Sequence, residues 1–167
     1  MVVDELLARA GAAKAVEAAE AWVAPVRLGG DDGWLVKPLT FMNRSGVAVE
    51  HVLAQQGGTP ADVVVVVDDI ALPLDTLRIR ERGSHGGHNG LRSLIDTLGT
   101  DEFTRVRLGV GSGEADDDMA DYVLSPFPLE SVLVVQEMVG RAADAVECVC
   151  LEGAAAAMNR FNGPRNA

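Results

Sequence analysis

Between positions 83 and 90 the chain reads Gly83-Ser84-His85-Gly86-Gly87-His88-Asn89-Gly90, four glycines, two histidines and an asparagine in eight residues. Glycine lets backbone N–H groups turn towards an anion, and the N-terminus of the helix expected to follow favours negative charge. The loop is not of a nucleotide-binding type, because no Gly-Lys-Ser/Thr follows and G-x-G-x-x-G is absent. Taken alone it reads equally well as a tight turn before a capped helix. Asp68 ends the apolar run Val63–Val67, where a carboxylate is often structural and bonds loop amides. Asn43 follows Lys37-Pro38-Leu39-Thr40-Phe41-Met42 at the start of an expected helix, where an N-cap is the commonest task of its amide. His85 and His88 lack a Cys or Glu at a supporting spacing, so a metal centre is not expected.

The elements that must carry these residues follow from periodicity. Apolar residues at 2, 3, 6, 7 and 10 predict a helix from Val2 to Ala10. Ala21 to Leu28 and Trp34 to Val36 read as strands around the turn Gly29-Gly30-Asp31-Asp32-Gly33, and a helix should run from about Met42 to Gln56. The unalternating Val63–Val67 reads as a strand buried on both faces, central in its sheet. Leu77 and Ile79 alternate with Arg78 and Arg80, and Val106, Leu108 and Val110 with Arg105 and Arg107, which predicts two half-buried strands with arginines outward. A helix from about Leu91 to Leu98, a long one from Leu129 to about Leu151 and a short one ending near Asn159 complete the list. Strands alternating with helices predict a single α/β domain over residues 1–167, a three-layer sandwich with a mixed, mostly parallel twisted sheet. In such sheets ligands sit at the carboxyl ends of strands, so Asp68, the glycine-histidine loop and the loop before Met42 are expected on one rim.

With 167 residues, 48% hydrophobic and 23% charged, the chain has the composition of a folded domain, which excludes disordered, collagen-like and disulfide-scaffold classes. No apolar stretch is longer than Val63–Val67, far below the roughly 20 residues of a membrane span, and Asp4 and Glu5 stand where a signal peptide carries bases. A cytoplasmic, membrane-free monomer is the expectation, with Cys148 and Cys150 as reduced core thiols. The net charge of −11 argues against a nucleic-acid partner, yet six of the 14 bases lie between 78 and 107, a window of +2 against −13 for the remainder. That window is either a solvated face or a phosphate-binding patch.

In combination these segments resemble the bacterial-type peptidyl-tRNA hydrolases. The resemblance rests on KPLTFMNRSGVAV from Lys37 to Val49, the long block from Asp68 to Gly111 containing GSHGGHNGL, DYVLSPF from Asp121 to Phe127, and AMNRFN from Ala157 to Asn162. It implies cleavage of the ester between a peptide and the 3′ ribose of tRNA, without metal or cofactor. It further implies that Asp68 orients a catalytic histidine and that Asn43 and Asn89 bind the peptide and ribose end. Phe41 and Met42 would line the pocket, His88 would support the Asn89 loop, and Arg80 and Arg107 would clamp tRNA phosphate, a task suited to bidentate guanidinium groups.

The resemblance also carries a departure. Family members place a strand, a Gly-Asn-Pro-Gly loop, a tyrosine and Arg-His-Asn-x-Gly, whose histidine is the base, ahead of the helix that corresponds to MVVDELLARA. The expectation is therefore that Met1 is an internal methionine of a longer reading frame, or that the gene has lost its 5′ end; on the order of 20 residues are concerned. Two other functions stay open on sequence alone: a catalytically inert tRNA- or RNA-binding protein, and a phosphate-ester or nucleotide-binding α/β domain with no RNA role.

Overall fold

A computed structural model describes residues 1–11, 15–18, 20–111 and 125–162. The acidic run Asp116–Asp118 and the Asp121–Leu124 part of DYVLSPF lie outside these residues. The chain opens with helix α1 (Val2–Arg9), then β1 (Val16–Ala18), β2 (Ala21–Leu28) and β3 (Asp31–Pro38). A 3-10 turn, Met42–Arg44, leads into α2 (Ser45–Gln56). Next come β4 (Val64–Pro73), β5 (Leu77–Arg80), α3 (Asn89–Leu98), β6 (Thr104–Gly111), α4 (Val132–Glu152) and α5 (Ala154–Phe161). The helix α3 thus begins two residues earlier than its periodicity suggests, and β1 is an element the sequence did not announce.

Among the described residues the strands form two three-stranded sheets, ordered β1-β2-β3 and β4-β6-β5. The class is the expected α/β with a mixed sheet, but among the described residues only β4 and β6 pair in parallel; β1-β2, β2-β3 and β5-β6 are antiparallel. The β2-β3 turn shrinks to Gly29-Gly30, both at positive φ (61° and 94°), as a two-residue hairpin turn requires. One apolar cluster joins both sheets to the helices on one side, with Leu6 of α1, Val26 and Leu35 of the first sheet, Ile79 and Val106 of the second, and Met138 of α4. On the other side α2 packs Ala48 and Val52 on Ala21 and Val23, and α3 packs Leu91 and Leu94 on Phe103. Layers of helix, sheet and helix result, each helix presenting its apolar stripe to a sheet.

Three expectations are corrected. First, among the described residues β4 is not a central strand: it lies at the edge of its sheet with Val64–Val67 only half-buried, and β6 occupies the middle. An unalternating valine run reports apolar surroundings on both faces, but not how many edges are paired. Second, Arg105 of β6 is not open to solvent: it is only 2% exposed, because loop carbonyls cover the face it occupies. Third, of the two thiols only Cys148 is buried and Cys150 is exposed, as two residues on a helix differ by about 200°.

Candidate functional site

The site is assembled around the start of α3. His88 is its N-cap, and its Nδ1 accepts the Leu91 N–H at 3.1 Å. Imidazole seldom takes this task from Ser, Thr, Asp or Asn, and here it settles the tautomer, since an accepting Nδ1 leaves the proton on Nε2. That Nε2 stands 3.6 Å from Asp68 Oδ1. The His88 imidazole holds the Asp68 carboxyl below its ordinary value, against half-burial, which raises it. Asp68 reaches this point because β4 continues past it to Pro73, placing Asp68 opposite Leu108 of β6 rather than at a strand end.

Asn89 follows as the first residue of α3, exposed, and Asn43 sits in the middle of the Met42–Arg44 turn, also exposed and not an N-cap. A groove runs between them, lined by Phe41, Met42, Asn43, Asn89, Arg92 and Asp96. Phe41 is 82% exposed, an aromatic ring offered to the groove without a core to fill. Two glycine contacts hold the walls together. A Cβ on Gly90 would stand 2.7 Å from Met42 Sδ and 2.9 Å from His88 Cε1, and one on Gly46 only 2.3 Å from the Ser93 carbonyl oxygen. Small residues therefore let α2 and α3 touch, and the Gly46 N–H donates to the buried Ser93 Oγ at 3.0 Å.

The arginines occupy the face next door. In the β5-β6 register Arg78 opposes Arg107 and Arg80 opposes Arg105, so all four share one side of the sheet, away from the core. Like charges in direct opposition are unfavourable unless neutralised, and two of the four are. Arg105 donates to the carbonyls of Gly83 and Ser84 and, at 2.7 Å, of Asp101, while lying 4.4 Å over the Phe103 ring. Arg107 Nε pairs with the buried Asp69 at 2.8 Å, leaving Arg107 about a quarter exposed. Arg78 and Arg80 remain open to solvent. The sequence singled out Arg80 and Arg107 but missed Arg78, Asp69, Arg92, Asp96 and Ser93. The alternation Leu77-Arg78-Ile79-Arg80 already paired Arg78 with Arg80 on one face, whereas Asp69 and Ser93 become visible only in three dimensions.

Asp68, His88, Asn89, Asn43, Met42 and Phe41 are thus brought to one rim, with Arg80 and Arg107 on an adjoining face, where Arg107 is paired with Asp69. Among the described residues no three His, Cys, Asp or Glu side chains stand close enough to hold a metal ion, nor is any helix long and apolar enough to cross a membrane.

A helix-sheet-helix fold that brings a carboxylate, a helix-capping imidazole and two exposed amides together beside an arginine face defines an α/β protein with a polar groove at one rim. The family model described as peptidyl-tRNA hydrolase matches residues 1–167, and the chain belongs to the peptidyl-tRNA hydrolase family. A relative of that name from Chloroflexus aggregans is 51% identical over 129 residues, 77% of this chain and 69% of the relative. One from Alkaliphilus oremlandii is 47% identical over 136 residues, 81% and 73% of the two chains. One from Chloroflexus aurantiacus is 43% identical over 161 residues, 96% and 86%. Among solved structures, a peptidyl-tRNA hydrolase from Acinetobacter baumannii shares the fold with a TM-score of 0.88 at 24% identity, covering 97% of this chain and 83% of that one.

Proposed function

We propose that this peptidyl-tRNA hydrolase holds its ester at the N-terminus of α3, with the peptide in the groove between α3 and the Met42–Arg44 turn and tRNA phosphate over Arg78 and Arg80. The observation that carries the reading is the junction at His88, where one imidazole caps the helix that presents Asn89 and faces Asp68. Asn89 and Asn43 suit the ester and ribose because an amide offers donor and acceptor without a charge to desolvate. Donors aimed at the developing oxyanion contribute most when they are held before the reaction, as Asn89 is by its place in the first helical turn.

His88 is not the base in this reading. Its Nδ1 lone pair is committed to Leu91 and its Nε2 proton faces Asp68, so no lone pair is left to activate water. Asp68 instead orients the water-activating histidine that the family resemblance puts in Arg-His-Asn, a segment these 167 residues do not contain. In this reading the chain acts as a cytoplasmic monomer of one domain. The test is release of peptide from N-acetyl-aminoacyl-tRNA by the protein isolated from its own cell, with its intact mass measured alongside. Turnover is expected; binding of tRNA without release would favour the inert RNA-binding reading. Loss of positioned acid-base catalysis costs about 10² to 10⁴-fold in rate, which separates the two.

A further inference from the structure

Resting on that reading of the groove, we infer that Arg92 is a specificity-determining residue that favours peptides with an acidic side chain next to the ester-linked residue. Arg92 lies one turn beyond Asn89 on the same face of α3 and lines the groove directly. Helical side chains lean towards the N-terminus, so the guanidinium tilts back towards Asn89 and the ester. One helical turn advances about 5.4 Å and an extended peptide about 3.3 Å per residue, which sets Arg92 beside the residue that precedes the ester-linked one.

Arg92 is also a cation left uncompensated. Among the described residues it forms no ion pair, although Asp96 stands four positions on and lines the same groove. The order explains this in part, since an acid placed four residues after a base is the poorer of the two helical arrangements. The first turn of α3 contains no acidic residue, so Arg92 adds its charge to the positive end of the helix instead of offsetting it. An exposed arginine on a helix normally covers apolar surface or meets an acid; this one faces a groove with Phe41 and Met42 on its opposite wall.

The peptide, not the RNA, is the anion concerned. Asp96, which lines the same groove one turn beyond Arg92, would repel a phosphate chain, whereas Arg78 and Arg80 on the exposed face of β5 attract one. The groove therefore grades from positive near the ester to negative about one turn further along α3.

The experiment uses three N-acetyl-dipeptidyl-tRNAs on one tRNA, with alanine at the ester and Asp, Ala or Lys before it, hydrolysed by the protein as its own cell makes it and by its Arg92→Gln variant. The expected result is kcat/KM about fivefold higher for Asp than for Lys, as one partly exposed ion pair provides, with the preference lost in R92Q. No charge preference in the parent, or a preference that R92Q retains, overturns the inference while leaving the esterase reading intact. A uniform loss on all three substrates with a flatter salt dependence overturns it in favour of a phosphate contact. Absence of hydrolysis on every substrate sinks the esterase reading and this inference together.

Discussion

His88 divides its ring between two partners: Nδ1 accepts the Leu91 N–H at 3.1 Å, and Nε2 faces Asp68 Oδ1 at 3.6 Å. One side chain thus starts the helix that presents Asn89 and fixes the neighbourhood of the carboxylate. If capping is its structural task, His88→Ala should lose about 1 kcal/mol of stability, and His88→Asn, whose amide oxygen can accept the same N–H, should recover most of it. Urea midpoints measure this. Equal losses in the two variants would show that the imidazole is held for its contact with Asp68 alone.

The same contact gives a pH dependence. His88 lowers the Asp68 carboxyl, so the folded state binds that proton less readily than the unfolded chain. The associated stability is complete above the unfolded carboxyl value of about 4 and is lost as pH falls through the lower folded value. The parent and Asp68→Asn should therefore differ in urea midpoint at pH 6, and the difference should shrink below about pH 4. A difference that grows on acidification would mean that burial, not His88, controls the carboxyl.

Arg80 and Arg107 look interchangeable as phosphate ligands in the sequence, but the fold gives them different second tasks. Arg80 is exposed and among the described residues has no ion-pair partner, whereas Arg107 neutralises Asp69, whose side chain is 5% exposed. Arg80→Ala should weaken tRNA binding, reduce the slope of log affinity against log salt by about one, and leave stability within about 0.5 kcal/mol. Arg107→Ala should in addition cost about 2 kcal/mol, because a buried carboxylate is left unpaired; partial exposure of the pair keeps the figure at the low end. Salt-dependent filter binding and thermal melts on both variants separate the effects, and equal melting temperatures would refute the Asp69 pairing.

How much of this the sequence made legible depended on whether a feature is local. GSHGGHNGL, Asp68 and the Lys37–Asn43 segment all reach one rim; the first and last are short motifs tied to element boundaries that periodicity locates, whereas Asp68 lies within β4, which runs on to Pro73. The coverage of strands was not legible. Val63–Val67 reads as a central strand and Arg105 as an outward side chain, yet edge position depends on which strands pair, and Arg105 is enclosed by carbonyls of residues 83, 84 and 101. A period of two assigns residues to faces; it does not say what lies over a face. The capping role of His88 was hidden for another reason, since the adjacent Asn89 is the better cap by type and only the observed boundary of α3 decides between them.

The C-terminal AMNRFN segment has a task that its chemistry alone does not suggest. β5 is an edge strand, and the Asn162 amide lies along it as a one-residue substitute for a neighbouring strand: Oδ1 accepts the Ile79 N–H at 2.6 Å and Nδ2 donates to the Ile79 carbonyl at 3.0 Å. Ile79 itself is fully buried, so both backbone groups would lose their partners if the amide were removed. Asn162→Ala should cost about 2 kcal/mol, the sum of two part-buried hydrogen bonds. Asn162→Asp should be no better, since a carboxylate satisfies the N–H but turns an oxygen towards the carbonyl. Because β5 also carries Arg78 and Arg80, hydrogen exchange at Ile79 should rise in both variants, and tRNA affinity should fall through loosening of the strand. Unchanged exchange at Ile79 would show that Asn162 merely follows the strand and does not hold it.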